Sequence, residues 1–366
     1  MAEVENKPYL VVVGSSAGGI EALSEVVSTI PEGFRAPVVI AQHLDPERKS
    51  RLEEILSRRS TLPVRTVTDH EALEPGVVYV VPSNRHVNVT DSEIDLRVDS
   101  QGRPKPSVDL LMRSASEVYG ERLIAVVLTD TGSDGAEGAR AVRAAGGTVL
   151  IQNPETAAFG GMPGSLAPNT VDIVADLDRV GPILGELLDG TDGREEKLRE
   201  DEKRALARFL EDLKERHGVD FTSYKTPTIL RRLKRRMVAT GTGSIGEYAA
   251  RLEGHPEELQ QLVNTLLIKV TEFFRDPDLF AYLKEEVLPG LLAEAKNEGR
   301  QLRIWSAGCA TGEEAYTLAI LVSEILGPEA ALADVRIFGT DVDEEAVDFA
   351  RHGVYPAGAL SGLTEE

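Results

Sequence analysis

A chain of 366 residues, 42% of them apolar, is long enough for two or three packed domains and too apolar to stay disordered. Its formal charge of −21 argues against a surface built for nonspecific nucleic-acid binding. Cys309 is the single cysteine, the first residues lack a secretory pattern, and no apolar run approaches the ~18 residues of a bilayer span. The expectation is a cytoplasmic chain with no intrachain disulfide and no membrane insertion.

Residues 9–13 form a continuous apolar run, as expected of a strand buried on both faces. The run breaks into Gly14-Ser15-Ser16-Ala17-Gly18-Gly19, and residues 21–29 then repeat apolar positions at helical spacing. Further strands are expected at 37–41, 77–81, 123–128 and 148–151, with helices at 48–58, 108–119 and 135–145. This alternation predicts an α/β domain over 8–188 with a doubly wound, mostly parallel sheet. Residues 189–202 are charged and glycine-bearing and read as a linker. Residues 203–265 show no strand pattern and read as a small all-α domain, broken at Gly218, Pro227, Gly241-Thr242-Gly243 and Pro256. Over 266–366 the α/β signal resumes, with strands expected at 302–306 and 335–339 and helices at 313–326 and 343–352. That pattern is the start of a Rossmann-like domain.

The turn after the first strand admits two readings. A dinucleotide loop needs G-x-G-x-x-G, and Ser16 stands where the middle glycine belongs. Gly14-Ser15-Ser16-Ala17-Gly18 satisfies G-x-S-x-G, which would expose the Ser16 hydroxyl at a strand end. A serine nucleophile needs a base and a group to orient it. His43 follows the second strand directly, and the strand at 123–128 runs into Thr129-Asp130-Thr131-Gly132-Ser133-Asp134-Gly135. Ser16, His43, Asp130 and Asp134 therefore share one rim, where ligands bind in open α/β sheets. The plain alternatives are a glycine-rich turn, a loop histidine, and aspartates that cap the following helix.

Residues 8–188 resemble the catalytic domain of the CheB chemotaxis methylesterases. The resemblance rests on Val13-Gly14-Ser15-Ser16-Ala17-Gly18-Gly19, Gln42-His43, Pro106-Ser107-Val108-Asp109, Leu128-Thr129, Ser133-Asp134-Gly135 and Gly161-Met162-Pro163. It implies that Ser16 is the nucleophile, His43 the base and Asp134 the orienting acid, with Ser15 a bystander. The implied substrate is a glutamate methyl ester, or a glutamine side chain, on a chemoreceptor. No cofactor is expected for this half. Backbone N–H groups near Ala17–Gly18 or Thr131 are candidates for holding the oxyanion. The chain carries Ala17 where the family commonly has Thr. Only about eight residues precede the first strand, so control by a receiver domain in the same chain is not expected.

In the second half, Ser306-Ala307-Gly308-Cys309-Ala310-Thr311-Gly312 follows a strand, and Asp341 ends the next one. A glycine-bearing turn and an acidic strand end together suggest an adenosine-containing cofactor. Residues from about 203 onward resemble the CheR receptor methyltransferases through Val219-Asp220-Phe221, Tyr224-Lys225, Arg231-Arg232-Leu233-Lys234-Arg235-Arg236-Met237, Val270–Asp276, Trp305–Glu314 and Thr340-Asp341. The resemblance implies S-adenosyl-L-methionine as cofactor, with contacts at Thr271, Arg275, Glu314 and Asp341. It also implies that the basic residues Arg231, Arg232, Lys234, Arg235 and Arg236 dock an acidic receptor helix. Only two strands follow residue 300, so this half reads as incomplete and no methyl transfer by it is expected. The function expected is a methylesterase fused to a truncated methyltransferase. The alternatives are a serine esterase or amidase for another carboxyl substrate, and a non-catalytic receptor-binding scaffold.

Overall fold

The computed structural model describes residues 9–43, 50–90, 93–97, 106–167, 170–188, 200–218, 220–221, 226–266, 271–328, 334–355 and 360. Within them the chain runs β1 (Leu10–Ser15), α1 (Gly19–Thr29), β2 (Val38–Gln42), α2 (Leu52–Ser57), β3 (Val64–Thr66), β4 (His70–Ala72), β5 (Val78–Val80), β6 (His86–Thr90) and β7 (Glu93–Arg97). It continues through α3 (Val108–Tyr119), β8 (Leu123–Val127), α4 (Ala136–Ala144), β9 (Thr148–Gln152), α5 (Gly161–Gly164), β10 (Ile173–Ala175) and α6 (Leu177–Leu188). The helices α7 (Glu200–His217), α8 (Thr226–Thr240), α9 (Ile245–Leu252) and α10 (Pro256–Leu266) follow. Last come α11 (Pro277–Tyr282), α12 (Leu288–Glu298), β11 (Leu302–Ala307), α13 (Glu313–Leu326), β12 (Val335–Thr340) and α14 (Glu344–His352). Most of the linker expected at 189–202, and Tyr224-Lys225, lie outside the described residues.

The chain divides into two compact units. One holds residues 1–166 and 170–268, the other 167–169 and 269–366. In the first, a seven-stranded sheet has the order β10-β9-β8-β1-β2-β5-β3. Its pairs are parallel. The β-branched runs explain this arrangement, because every residue of β1, β2, β8 and β9 is buried. Alternate residues serve opposite faces. Leu10 and Val12 pack with Leu111, Met112 and Ala139 of α3 and α4. Val11 and Val13 pack with Leu23, Val27 and Leu184 of α1 and α6. Each fully buried aliphatic side chain of this kind contributes roughly 1.5–3 kcal/mol.

Two departures from the expected elements are informative. The strands β4, β6 and β7 build a separate antiparallel sheet of order β4-β7-β6, and the short strands β3 and β10 extend the parallel sheet at its two edges. None of these strands was expected. The main sheet is nonetheless the doubly wound one the alternation predicted. Its chain leaves β1 toward β2 and returns to β8 on β1's other side, which opens a crevice at the strands' carboxyl ends.

Helices α7–α10 belong to this same unit and enclose their own core of Leu206, Phe209, Phe221, Leu233, Tyr248 and Leu262. No strand occurs among their described residues. Helix α8 also meets the sheet domain. Val238 joins the core under α1 and α6, and the basic run faces the same way. Arg235 is 2% exposed, donates to Gly146 O at 2.6 Å, and lies 3.4 Å from Asp172. Arg236 grips Glu258 with two nitrogens, at 3.0 and 2.7 Å, and donates to Asp172 O. Arg231 pairs with Glu121 at 2.5 Å, and Arg232 donates to Leu266 O. The expectation that Arg231, Arg232, Lys234, Arg235 and Arg236 form a free basic face for an acidic receptor is therefore corrected. The run is half-buried to buried, and its arginines are engaged within the chain. The physical reason is that Asp172, Glu121 and Glu258 supply nearby the compensation a buried guanidinium requires.

In the second unit β11 and β12 pair in parallel. Leu302, Leu318, Leu321 and Val322 form a core with Leu288 and Leu292 of α12. Trp305 and Phe338 stand opposite each other and remain exposed, so helices cover one face of this strand pair.

Candidate active site

The carboxyl ends of β1, β2 and β8 carry the residues singled out from the sequence. Ser15 points into the protein and donates to Gln42 Oε1 at 2.5 Å, with none of its surface exposed. Ser16, the next residue, is half-buried at the rim. Its N–H donates to Thr129 O, and its carbonyl accepts from Gln42 Nε2 at 2.7 Å. Gln42 Nε2 also donates to His43 O, so one buried amide braces both the serine turn and the histidine. Gly18 has φ +73°, a left-handed conformation that lets the chain turn from Ser16 into α1. The two serines thus differ: Ser15 is tied down, and Ser16 Oγ is left without a hydrogen-bond partner among the described residues.

His43 Nε2 lies 2.8 Å from Asp134 Oδ2. Asp134 does not cap the helix that follows it. Its carboxylate sits on the N-terminus of α3, accepting from Val108 N at 2.8 Å, Asp109 N at 3.0 Å and Ser107 Oγ at 3.2 Å. Burial alone would push the Asp134 carboxyl up. Hydrogen bonds from His43 and from the N–H groups of Asp109 and Val108 outweigh this and hold it below the usual carboxylate range. The carboxylate is thereby fixed as an acceptor for the imidazole, which sets the tautomer and aim of His43. With Nε2 engaged, Nδ1 is the nitrogen left to exchange a proton.

Asp109 repays the contact in the other direction. From the first turn of α3 its Oδ1 accepts from Gly135 N at 2.9 Å and Gly138 N at 2.7 Å, at the start of α4. The two helices have exchanged caps. Burial pushes the Asp109 carboxyl up to about 7, against the Gly138 hydrogen bond and with the Asp134 charge adding to the rise. An acid raised in the folded state contributes stability below its unfolded value near 4, and that contribution is lost as pH rises through about 7. Asp109→Asn keeps a neutral acceptor for both N–H groups. Wild-type melting temperature should therefore fall, relative to this variant, between pH 5 and pH 8 in a thermal titration, and parallel curves would refute it. Nothing in the local pattern marks Asp109 as a cap for N–H groups 26 and 29 residues on, although it lies in the Pro106–Asp109 stretch.

Asp130, the other aspartate of the turn, is also placed at the site. Its Oδ2 lies 3.7 Å from His43 Nδ1, and its Oδ1 accepts from Thr131 N at 2.6 Å and Ala17 N at 3.5 Å. His43 thus lies between Asp130 and Asp134, and Ser16 follows β1 next to the end of β2 that leads into His43.

In the second unit Asp341 Oδ2 accepts from Ala310 N at 2.8 Å and Oδ1 from Asp343 N at 2.9 Å. Glu314 Oε1 accepts from Ser306 Oγ at 2.6 Å, so both acids stand at the carboxyl ends of β11 and β12. Thr271 and Arg275 lie on a separate segment. Phe274 N, between them, donates to Thr317 Oγ1 of α13, the helix that carries Glu314. Gly308 has φ +79° and no atom within 4 Å of where a Cβ would stand. That open turn, beside a carboxylate with lone pairs to spare for hydroxyl groups, fits an adenosine-containing ligand.

Residues 11–184 match the CheB methylesterase model. A putative protein-glutamate methylesterase/protein-glutamine glutaminase of Leptospira interrogans (serovar Lai) is 34% identical over 177 residues, 48% of this chain and 92% of that protein. The chain belongs to the CheB methylesterase family, joined to CheR methyltransferase domains. Residues 204–267 match the all-alpha domain of the CheR methyltransferases, and residues 269–366 their SAM binding domain. An uncharacterized 104.1 kDa protein of Rhodobacter capsulatus is 34% identical over 329 residues, 83% of this chain and 34% of that protein. The protein-glutamate methylesterase/protein-glutamine glutaminase 1 of Saccharophagus degradans is 36% identical over 47% of this chain and 48% of that protein. The chain therefore spans about a third of the Rhodobacter protein's length and about half of the Saccharophagus protein's. The crystal structure of the Thermotoga maritima CheB methylesterase catalytic domain is 33% identical, with a TM-score of 0.47, covering 50% of this chain and 99% of that one. Among the described residues no helix is long and apolar enough to cross a membrane, and no group of acidic, histidine or cysteine side chains could hold a metal ion.

Proposed function

We propose that the CheB-type half hydrolyses glutamate methyl esters, and deamidates glutamine side chains, on chemoreceptors during chemosensory adaptation. The observation that carries this reading is the 2.8 Å contact of His43 Nε2 with Asp134 Oδ2, at the rim where Ser16 and His43 directly follow the paired strand residues Ser15 and Gln42. Ser16 Oγ attacks the ester carbonyl carbon and forms the O–C bond, while the carbonyl π pair moves onto oxygen. The serine proton passes to His43 Nδ1. Collapse breaks the bond to the methoxy oxygen, which takes the proton from Nδ1 and leaves as methanol. Water then repeats the sequence on the acyl-serine: its oxygen bonds to carbon, its proton goes to Nδ1 and on to Oγ, and the glutamate carboxyl is released. Asp134 holds the imidazolium throughout and stays ionised.

The domain division 8–188, 203–265 and 266–366 with a linker at 189–202 is part of the same proposal, as is a cytoplasmic location, which rests on the lone cysteine. In the third part Glu314 and Asp341, with Thr271 and Arg275, would hold S-adenosyl-L-methionine. When bound, that cofactor supplies an electrophilic methyl group.

The test is methanol release from methylated receptor. Ser16→Ala should abolish it, by a factor of about 10⁴ or more, while Ser15→Ala retains most of it. Equal rates in wild type and Ser16→Ala would remove the proposal.

A further inference from the structure

Asp130 is placed where an acyl-transfer site ordinarily keeps a vacancy. An oxyanion is stabilised by N–H donors aimed at the position its oxygen will occupy, and the N–H of the residue after the nucleophile is a usual one. Here that donor is Ala17 N. It converges with Thr131 N on one oxygen, Asp130 Oδ1, at 3.5 and 2.6 Å. The carboxylate is well held there. Its side chain is 8% exposed. The Asp130 backbone is anchored by its N–H on Phe159 O and by Met162 N on its carbonyl. Its second oxygen faces His43 Nδ1, the nitrogen not used by Asp134.

We propose that Asp130 is a specificity-determining residue: its carboxylate is the resting occupant of the oxyanion donor pair formed by Ala17 N and Thr131 N, so the site admits neutral acyl groups and excludes carboxylates. The inference rests on Ser16 being the nucleophile. A neutral ester or amide carbonyl competes for the donors as it gains negative charge, because the oxyanion is the stronger acceptor. The displaced Asp130 carboxylate has His43 Nδ1 within a short swing, where the imidazolium forms at the same moment. A carboxylate ligand, the product of the reaction included, gains no such charge. It must displace an identical group while standing beside a fixed negative one. Asp130 therefore opposes rebinding of the product more strongly than binding of the substrate.

The experiment uses the full chain and a fluorophosphonate probe, with Ser16 labelling followed by mass spectrometry in sodium acetate and in sodium chloride of equal ionic strength. Wild-type labelling should be nearly insensitive to acetate. In Asp130→Ala the two donors are unoccupied, acetate binds them, and labelling should slow by about tenfold or more. Asp130→Asn retains an acceptor of the same shape without the charge and serves if the alanine variant does not fold. Its acetate sensitivity should lie between the other two. Acetate sensitivity no greater in either variant than in wild type overturns the role of Asp130 alone. Absence of Ser16 labelling in every protein overturns the nucleophile reading and this inference with it.

Discussion

Asp134→Asn should lower ester hydrolysis by about 10⁴-fold while the protein remains folded. Both oxygens of Asp134 are acceptors: Oδ1 takes Asp109 N and Ser107 Oγ, and Oδ2 takes Val108 N and His43 Nε2. An asparagine cannot satisfy all four. Its amide nitrogen must stand either at Oδ2, facing Val108 N and the imidazole, or at Oδ1, facing Asp109 N and Ser107 Oγ, and a donor then opposes a donor. If it faces His43, the histidine must offer a lone pair at Nε2 and carry its proton on Nδ1, where it can no longer accept from Ser16. If it stands at Oδ1 instead, the Asp109 N–H loses its acceptor, at about 1–3 kcal/mol, while the Ser107 hydroxyl can turn to accept from it. The measurements are methanol release and thermal unfolding on one preparation. A rate within tenfold of wild type would show that His43 is not oriented by Asp134. A lost rate would place the asparagine nitrogen on the histidine, with a lowered melting temperature from the Val108 N–H unpaired at the same position.

The second large effect is expected away from the site. Arg235→Ala should destabilise the contact of α8 with the sheet domain by about 3 kcal/mol. Burial pulls the Arg235 guanidinium down to about 10, and the Asp172 carboxylate only partly offsets that. Removing the arginine leaves the Gly146 carbonyl unpaired and takes one of two guanidinium partners from Asp172. Arg143, 2.6 Å from Asp172, and the Val149 N–H keep that carboxylate compensated, so the loss falls at the lower end of the range for broken buried pairs. Hydrogen exchange should report it directly: amides of α8 exchange faster in the variant, while those of β1 and β8 do not. Unaltered protection in α8 would mean that Val238 and its apolar neighbours hold the helix without help. The same variant bears on the corrected role of the basic run. A guanidinium buried in the chain contributes to stability rather than to an encounter with an acidic partner.

What was legible in the sequence, and what was not, follows from the range of the interactions involved. The parallel strands β1, β2, β8 and β9 could be read because each is a run of apolar, mostly β-branched residues, a local signal. The hairpin β6–β7 was readable too, since His86-Val87-Asn88-Val89-Thr90 and Glu93-Ile94-Asp95-Leu96-Arg97 alternate with period two around Asp91-Ser92. Its alternating pattern marks strands buried on one face only, unlike the continuous apolar runs of the parallel sheet. Strands β3 and β10, three residues each, are too short for any period to show. They exist because the neighbouring edge supplies their hydrogen bonds.

By itself the sequence determined the class of the sheet, the glycine-bearing turn at Ser16, and the placement of His43 and the Asp130–Asp134 turn on one rim. All of these follow from short-range patterning and from the rule that strand ends in a wound sheet gather at one edge. Only the tertiary structure decided how those groups are used. It decided that Asp134 caps α3 while Asp109 caps α4, that Asp130 meets the N–H of Ala17 from 113 residues away, and that Arg235 is buried rather than offered to solvent. Hydrogen-bond partnership and desolvation depend on which groups the strand order brings together. That order, with β1 lying between β2 and β8, is a property of the whole sheet and of no segment within it.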